Sequence, residues 1–136
     1  MTTDLLFVYG TLRAGGENDH YLERAVCIER SCWTAGELHD TGAGYPVLKQ
    51  HPKKRVVGEL YAVDAAMLAN IDELEDYVVN GDNNLYERIR QTVFGKRQHE
   101  AYVYIAGKPL LNLEAEISSG DWFTFSNPDS GKEEGA

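Results

Sequence analysis

Hydrophobic positions fall in short runs separated by turn formers, and the first run sets the frame. Leu5-Leu6-Phe7-Val8-Tyr9 is apolar or aromatic at every step, which predicts a strand covered on both faces. It stops at Gly10, where a missing Cβ eases the turn, and Thr11 to Gly16 continues as a flexible loop. The consecutive amides of such a loop can hold a carboxylate or another anion. Local sequence alone favours the plainer reading of the same residues, an ordinary strand followed by a glycine turn.

Downstream, Asn18 is placed to cap a short helix in which Leu22, Ala25 and Val26 share a side, with Glu17 or Asp19 near its positive end. Ser31 to His39 partly alternates and predicts a strand, with Gly36 marking a bulge or a close approach of another segment. Asp40 to Pro46 is dense in turn formers, and Pro46-Val47-Leu48 starts a short extended piece. Gly42-Ala43-Gly44 is not a dinucleotide fingerprint. Val47 stands where the third glycine belongs, Pro46 blocks the helix, and no parallel strand-helix-strand unit surrounds it. Val56 to Val63 is the next strong strand. Asn80 to Asn84 reads as a loop, and Tyr86 to Phe94 with Gln98 to Ile105 as an antiparallel hairpin turning at Gly95-Lys96. Gly107 to Ser119 carries no clear period, and Gly120-Asp121-Trp122 reads as a turn anchored by an aromatic. The domain is expected to occupy residues 1–126, with a disordered tail over 127–136.

Between the strand Val56 to Val63 and the loop lies the segment with the sharpest signal. Asp64 is placed as an N-cap, and at about 100° per residue Met67, Leu68, Ile71, Leu74 and Val78 share one arc. Glu75 falls inside that arc, Asp72 lies at its edge, and Glu73 and Asp76 face water. A charge on the core side of a helix is costly unless paired, neutralised or opened to a cavity. Two readings therefore stand: the helix ends before Glu75 or Glu75 pairs with an arginine such as Arg88, or its carboxyl is partly desolvated and suited to proton transfer near neutral pH.

Composition narrows the class. At 136 residues and 43% hydrophobic content the chain suits one domain burying roughly two thirds of its unfolded surface. A formal charge of −9 argues against nucleic-acid binding, and the one basic triplet, Lys53-Lys54-Arg55, reads as a solvated turn. Cys27 and Cys32 are too few for a disulfide framework or a zinc site, and His20, His39, His51 and His99 lack metal-ligand spacing. No serine sits in a nucleophile elbow. Without a charged leader or an apolar run of membrane length, a cytoplasmic protein with no membrane partner is expected.

Taken in order, several motifs resemble the gamma-glutamylcyclotransferase-like family, closest to gamma-glutamylamine cyclotransferase and its short bacterial relatives. They are Tyr9-Gly10-Thr11-Leu12, Asn18 with Leu22, Gly36 and Leu38, Tyr45-Pro46, and Val57-Gly58-Glu59-Leu60-Tyr61. Ile71-Asp72-Glu73-Leu74-Glu75, Tyr86 with Arg88, and Gly120-Asp121-Trp122 complete the series. The resemblance implies an α+β fold, a small mixed barrel-like β-sheet with a few surrounding helices. It further implies that Tyr9, Gly10, Thr11 and Leu12 form the substrate-binding loop, that Tyr86 lines the pocket, and that Glu75 is the catalytic acid. Two positions depart from the family: Asp19 stands where histidine is frequent, and Asp76 where glycine is frequent. The implied reaction cyclises a gamma-glutamyl compound to 5-oxoproline with release of an amine or amino acid, needing no metal or cofactor, in a monomer or weak oligomer. Arg13 is a candidate cation for an amino-acid leaving group, and a non-catalytic binding module using the same pocket is the alternative.

Overall fold

The apolar run near the start of the chain forms β1 (Asp4–Val8), and Leu6, Phe7 and Val8 are all buried. The computed structural model describes residues 3–126; the expected tail, 127–136, lies outside them. After β1 come β2 (Val26–Ala35), β3 (Glu37–Asp40), β4 (Pro46–Lys49), β5 (Arg55–Val63), α1 (Ala65–Leu74), β6 (Tyr86–Phe94), β7 (Gln98–Ala106) and α2 (Trp122–Ser126). The fold is α+β. Five strands close a barrel in the order β1-β5-β2-β6-β7, and β3 with β4 makes a separate two-stranded sheet.

Closure depends on β1. It runs antiparallel to β5, with Asp4 opposite Val63 and Val8 opposite Glu59, and parallel to β7, with Leu6 beside Tyr102 and Phe7 beside Val103. Because side chains alternate across a strand, the two faces of β1 feed two apolar clusters. Leu6 and Val8 join Val63, Tyr86, Tyr104 and the α1 residues Leu68 and Ile71. Phe7 and Tyr9 join Leu38, Leu48, Leu60, Val93, Val103 and Trp122. The β6–β7 hairpin pairs from Tyr86 opposite Ala106 to Phe94 opposite Gln98, turning at the expected residues.

Three local expectations are corrected. The segment after Asn18 is only a 3-10 turn, Asp19–Leu22, and the Asn18 side chain caps nothing. Val26, expected on that helix, instead opens β2. The strand expected over Ser31 to His39 is two strands broken at Gly36, where a Cβ would lie 2.8 Å from the Leu48 side chain. Trp122 opens a short helix after Gly120, whose φ of +69° makes the expected turn.

β5 passes so close to β1 that Gly58 has no room for a side chain: a Cβ there would lie 2.1 Å from the Val8 carbonyl oxygen and 2.8 Å from the Phe7 ring. Both contacts belong to packed strands that cannot retreat singly. Gly58→Ala is therefore expected to lower the unfolding free energy by about 3 kcal/mol, read from the urea midpoint.

Candidate active site

Glu75 owes its position to the way α1 stops. The helix starts on Asp64, whose carboxylate accepts the Met67 amide at 2.8 Å, so the expected N-cap is present. At the other end Tyr77 N–H donates to the Asp72 carbonyl at 2.9 Å and Asp76 N–H to that of Glu73 at 3.2 Å. This pair of bonds is a Schellman closure, with Asp76 in the left-handed region at φ +54°. Glycine suits that conformation best, which gives a physical reason for the glycine that the family resemblance led one to expect at this position. Glu75 itself is the C-cap, with φ −85° and ψ 6°. Its backbone is still close to helical, so the 100° step continues to Glu75 and ends one residue later. Val78, expected on the apolar arc, lies beyond the helix and is 64% exposed.

The Glu75 side chain enters a cavity of about 320 Å³. Tyr9, Gly10, Thr11, Leu12 and Tyr86 line the same cavity, so the structure brings every residue of the expected site together. Among the described residues no cation pairs with the Glu75 carboxylate and no donor hydrogen-bonds to it. The expected partner is engaged elsewhere, because Arg88 Nη1 lies 3.2 Å from Asp72 Oδ2 while the guanidinium stacks on Tyr102. Burial alone pushes the Glu75 carboxyl up to about 7.

Of the four tyrosines that line the cavity among the described residues, Tyr9, Tyr86 and Tyr104 each commit the hydroxyl proton to another acceptor. Tyr9 donates to the Tyr104 carbonyl at 2.7 Å, Tyr86 to the Pro46 carbonyl at 2.6 Å, and Tyr104 to Asp72 Oδ1 at 2.6 Å. Tyr9 also accepts the Leu48 amide at 3.1 Å. Burial is the main cause that raises all three phenols, and the nearby Glu75 charge adds to it. They wall the cavity without neutralising its acid.

The loop after β1 is fixed from several directions. Arg13 N–H donates to the Gly10 carbonyl at 3.1 Å, Asn18 N–H to the Thr11 carbonyl at 2.8 Å, and Asn18 Nδ2 to Thr11 Oγ1 at 2.9 Å. Leu12 is buried in the α1-side cluster and anchors the loop. Gly10 lies against Pro46, whose ring atoms would be 2.8 Å from a Cβ; space, rather than backbone twist, excludes a side chain there. The Gly10, Thr11 and Leu12 amides make no hydrogen bond among the described residues.

Sequence reasoning missed Glu59 as an anchor. Buried in β5, it accepts the Ala14 amide and the Tyr61 hydroxyl, both at 2.8 Å, and meets Arg13 Nε at 3.3 Å. An acid inside an otherwise apolar strand is the same signal that singled out Glu75. Arg13 also binds Asp121 Oδ1 at 2.9 Å and stacks on Phe123, so it is absent from the cavity lining and is not the cation expected for a leaving group. Tyr104, Tyr45 and Glu17 line the cavity without having been marked as site residues. Of the cysteines, Cys32 is buried, which pushes its thiol up to about 12.

Comparison with known proteins bears on this geometry. A family model, "Gamma-glutamyl cyclotransferase, AIG2-like", matches residues 6–124. The gamma-L-glutamyl-butirosin B gamma-glutamyl cyclotransferase of Niallia circulans is 48% identical over 119 residues, covering 86% of this chain and 74% of that protein. BH1612 of Halalkalibacterium halodurans, provisionally named a gamma-glutamylcyclotransferase, is 40% identical over 103 residues, covering 75% of this chain and 91% of its own. The crystal structure of an AIG2-like protein from Mus musculus superposes with a TM-score of 0.67 at 26% identity, covering 87% of this chain and 88% of that one.

The raised Glu75 carboxyl has a consequence for stability. The folded chain binds that proton more tightly than the unfolded chain, so the stabilisation is fully present below about 4.5 and is lost as pH rises through about 7. Glu75→Gln removes the dependence. Against wild type it is expected to gain about 2–3 kcal/mol near pH 8.5 and to change little near pH 4, measured by urea unfolding at both values.

Proposed function

Since its residues 6–124 match the family model and relatives across most of its length carry the same name, the chain belongs to the gamma-glutamyl cyclotransferase family of AIG2-like proteins. From that premise we propose that its cavity converts a gamma-glutamyl amine, or a gamma-glutamyl amino acid, into 5-oxoproline and the free amine. The observation that carries the reading is an unpartnered carboxyl, raised to about 7, in one cavity with a loop whose successive amides are unused.

Both reacting groups belong to one substrate, so the chain has to fold that substrate and move protons. Ionised Glu75 takes a proton from the α-ammonium. The freed nitrogen attacks the γ-carbonyl carbon and forms the five-membered ring, and the carbonyl electron pair moves to oxygen. Collapse of this intermediate breaks the bond to the leaving nitrogen, which receives the proton held by Glu75; the freed carboxylate then takes the second proton of the ring nitrogen and passes it to the released amine, which departs as the ammonium. The products are 5-oxoproline and amine, and the carboxylate is regenerated. A base near 7 suits both transfers at neutral pH, since it accepts and returns a proton with little penalty.

The amides of Gly10, Thr11 and Leu12 supply donors for the α-carboxylate or for the developing oxyanion. Tyr9 and Tyr86 shape the walls, with their rings buried and their hydroxyls fixed. One carboxylate performs both proton transfers, which leaves no task for a metal or organic cofactor. The Niallia circulans relative, named for gamma-L-glutamyl-butirosin B, supports a gamma-glutamyl conjugate as substrate.

Glu75→Gln is expected to lower kcat for 5-oxoproline release by about 10²–10⁴-fold with the fold intact. Wild-type kcat is expected to rise with pH through about 7, where the base ionises. Full activity in the neutral variant would place the base elsewhere. If gamma-glutamyl compounds raised the melting temperature yet released no 5-oxoproline, the cavity would be a binding module.

Gly10→Ala is expected to cut kcat/KM by at least about tenfold by pushing the loop off Pro46. Leu12→Val, trimming the anchor, is expected to cost about 1 kcal/mol of stability and less than about threefold in kcat/KM. Steady-state assays paired with thermal melts separate the two.

A further inference from the structure

The charge of the cavity lining is one-sided. Among the described residues Glu75 and Glu17 are its only charged side chains, and no lysine, arginine or histidine lines it. The two arginines that the sequence offers as candidate cations for this site are committed: Arg13 to Glu59 and Asp121, and Arg88 to Asp72 and the face of Tyr102. Glu17 differs from the other acids of this region. It stands on the lining, is exposed, and makes no hydrogen bond or ion pair among the described residues, whereas Asp19 beside it accepts the Gly15 amide at 3.0 Å.

The two acids divide the cavity by environment. Glu75 is half-buried at the end of α1 with its carboxyl desolvated, and Glu17 is solvated in the loop segment between Gly16 and Asn18. If the γ-glutamyl half lies with its reacting nitrogen at Glu75, its α-carboxylate takes the amides of the loop, and the leaving group extends outward past Glu17. A leaving amino acid would bring a second carboxylate into a cavity offering it two negative charges and no cation. A leaving amine with a further ammonium group at its far end would meet an unengaged carboxylate.

We propose that Glu17 is a specificity-determining residue, which selects leaving amines that carry a second cationic group and disfavours leaving amino acids. This inference rests on the cyclotransferase reading and sharpens its substrate class. Attraction across a solvated mouth is screened by salt, so the preference belongs in kcat/KM at low ionic strength and is modest in size.

Three gamma-glutamyl amides matched in length test it: those of 1,4-diaminobutane, butylamine and 4-aminobutyrate, which end in an ammonium, a methyl and a carboxylate. Wild type is expected to release 5-oxoproline in that order of kcat/KM. Glu17→Gln is expected to cut the ammonium-to-methyl ratio by about three- to tenfold, and added salt to compress the wild-type ratio in the same direction. Glu17→Lys is expected to reverse the order of the charged pair. A ratio unchanged by Glu17→Gln, or both rates falling by one factor, would overturn the proposal by placing Glu17 off the leaving group or on the γ-glutamyl half. Release from none of the three amides would instead overturn the cyclotransferase reading, so the two failures differ.

Discussion

A desolvated carboxyl without a partner among the described residues is the constraint on which this structure turns. Such a group is destabilising, and a fold normally moves it to water or gives it a cation. Here the end of α1 prevents the first, since the Schellman closure through Asp76 and Tyr77 sets the backbone that aims Glu75 into the cavity. The second kind of relief is missing because Arg88 is held by Asp72 and the face of Tyr102, and the phenols add none by hydrogen bonding. Tyr9, Tyr86 and Tyr104 each give their proton to a different acceptor, so three potential donors stand near the acid without quenching it.

Glu59 and Glu75 show opposite treatments of the same side chain. Glu59 is saturated by a backbone amide, a phenol and a guanidinium, and its charge fixes the far end of the loop. Glu75 is left unsatisfied, and burial drives its carboxyl to about 7. One acid holds the loop in place so that the other can face it.

Much of the architecture could be read from residue patterns because it follows from burial. The doubly covered β1, the β6–β7 hairpin and the Asp64 cap each rest on a local rule that tertiary packing did not override. The Glu75 position was legible for a partly different reason than helical periodicity alone. The helix ends one residue before it, and the near-helical C-cap carries the side chain to the predicted side. What local patterns could not supply were choices between competing partners. Arg88 goes to Asp72 rather than Glu75, Arg13 goes to Glu59 and Asp121, and Asn18 bonds Thr11 instead of capping a helix. Each choice is made by residues distant in sequence, so no window around the residue itself contains it.

The parallel seam between β1 and β7 has a consequence for how the chain acquires its shape. Tyr9 is fixed by a carbonyl 95 residues away, on the last strand of the barrel. The β1–β7 pairs that close the barrel, Leu6 with Tyr102 and Phe7 with Val103, join residues far apart in the chain, and closing such a long loop is entropically slow. The loop can meet Pro46 and Glu59 as soon as those segments are made, but the wall that Tyr104 supplies arrives only with β7. The cavity is a product of the completed chain, and no N-terminal fragment ending before β7 contains it.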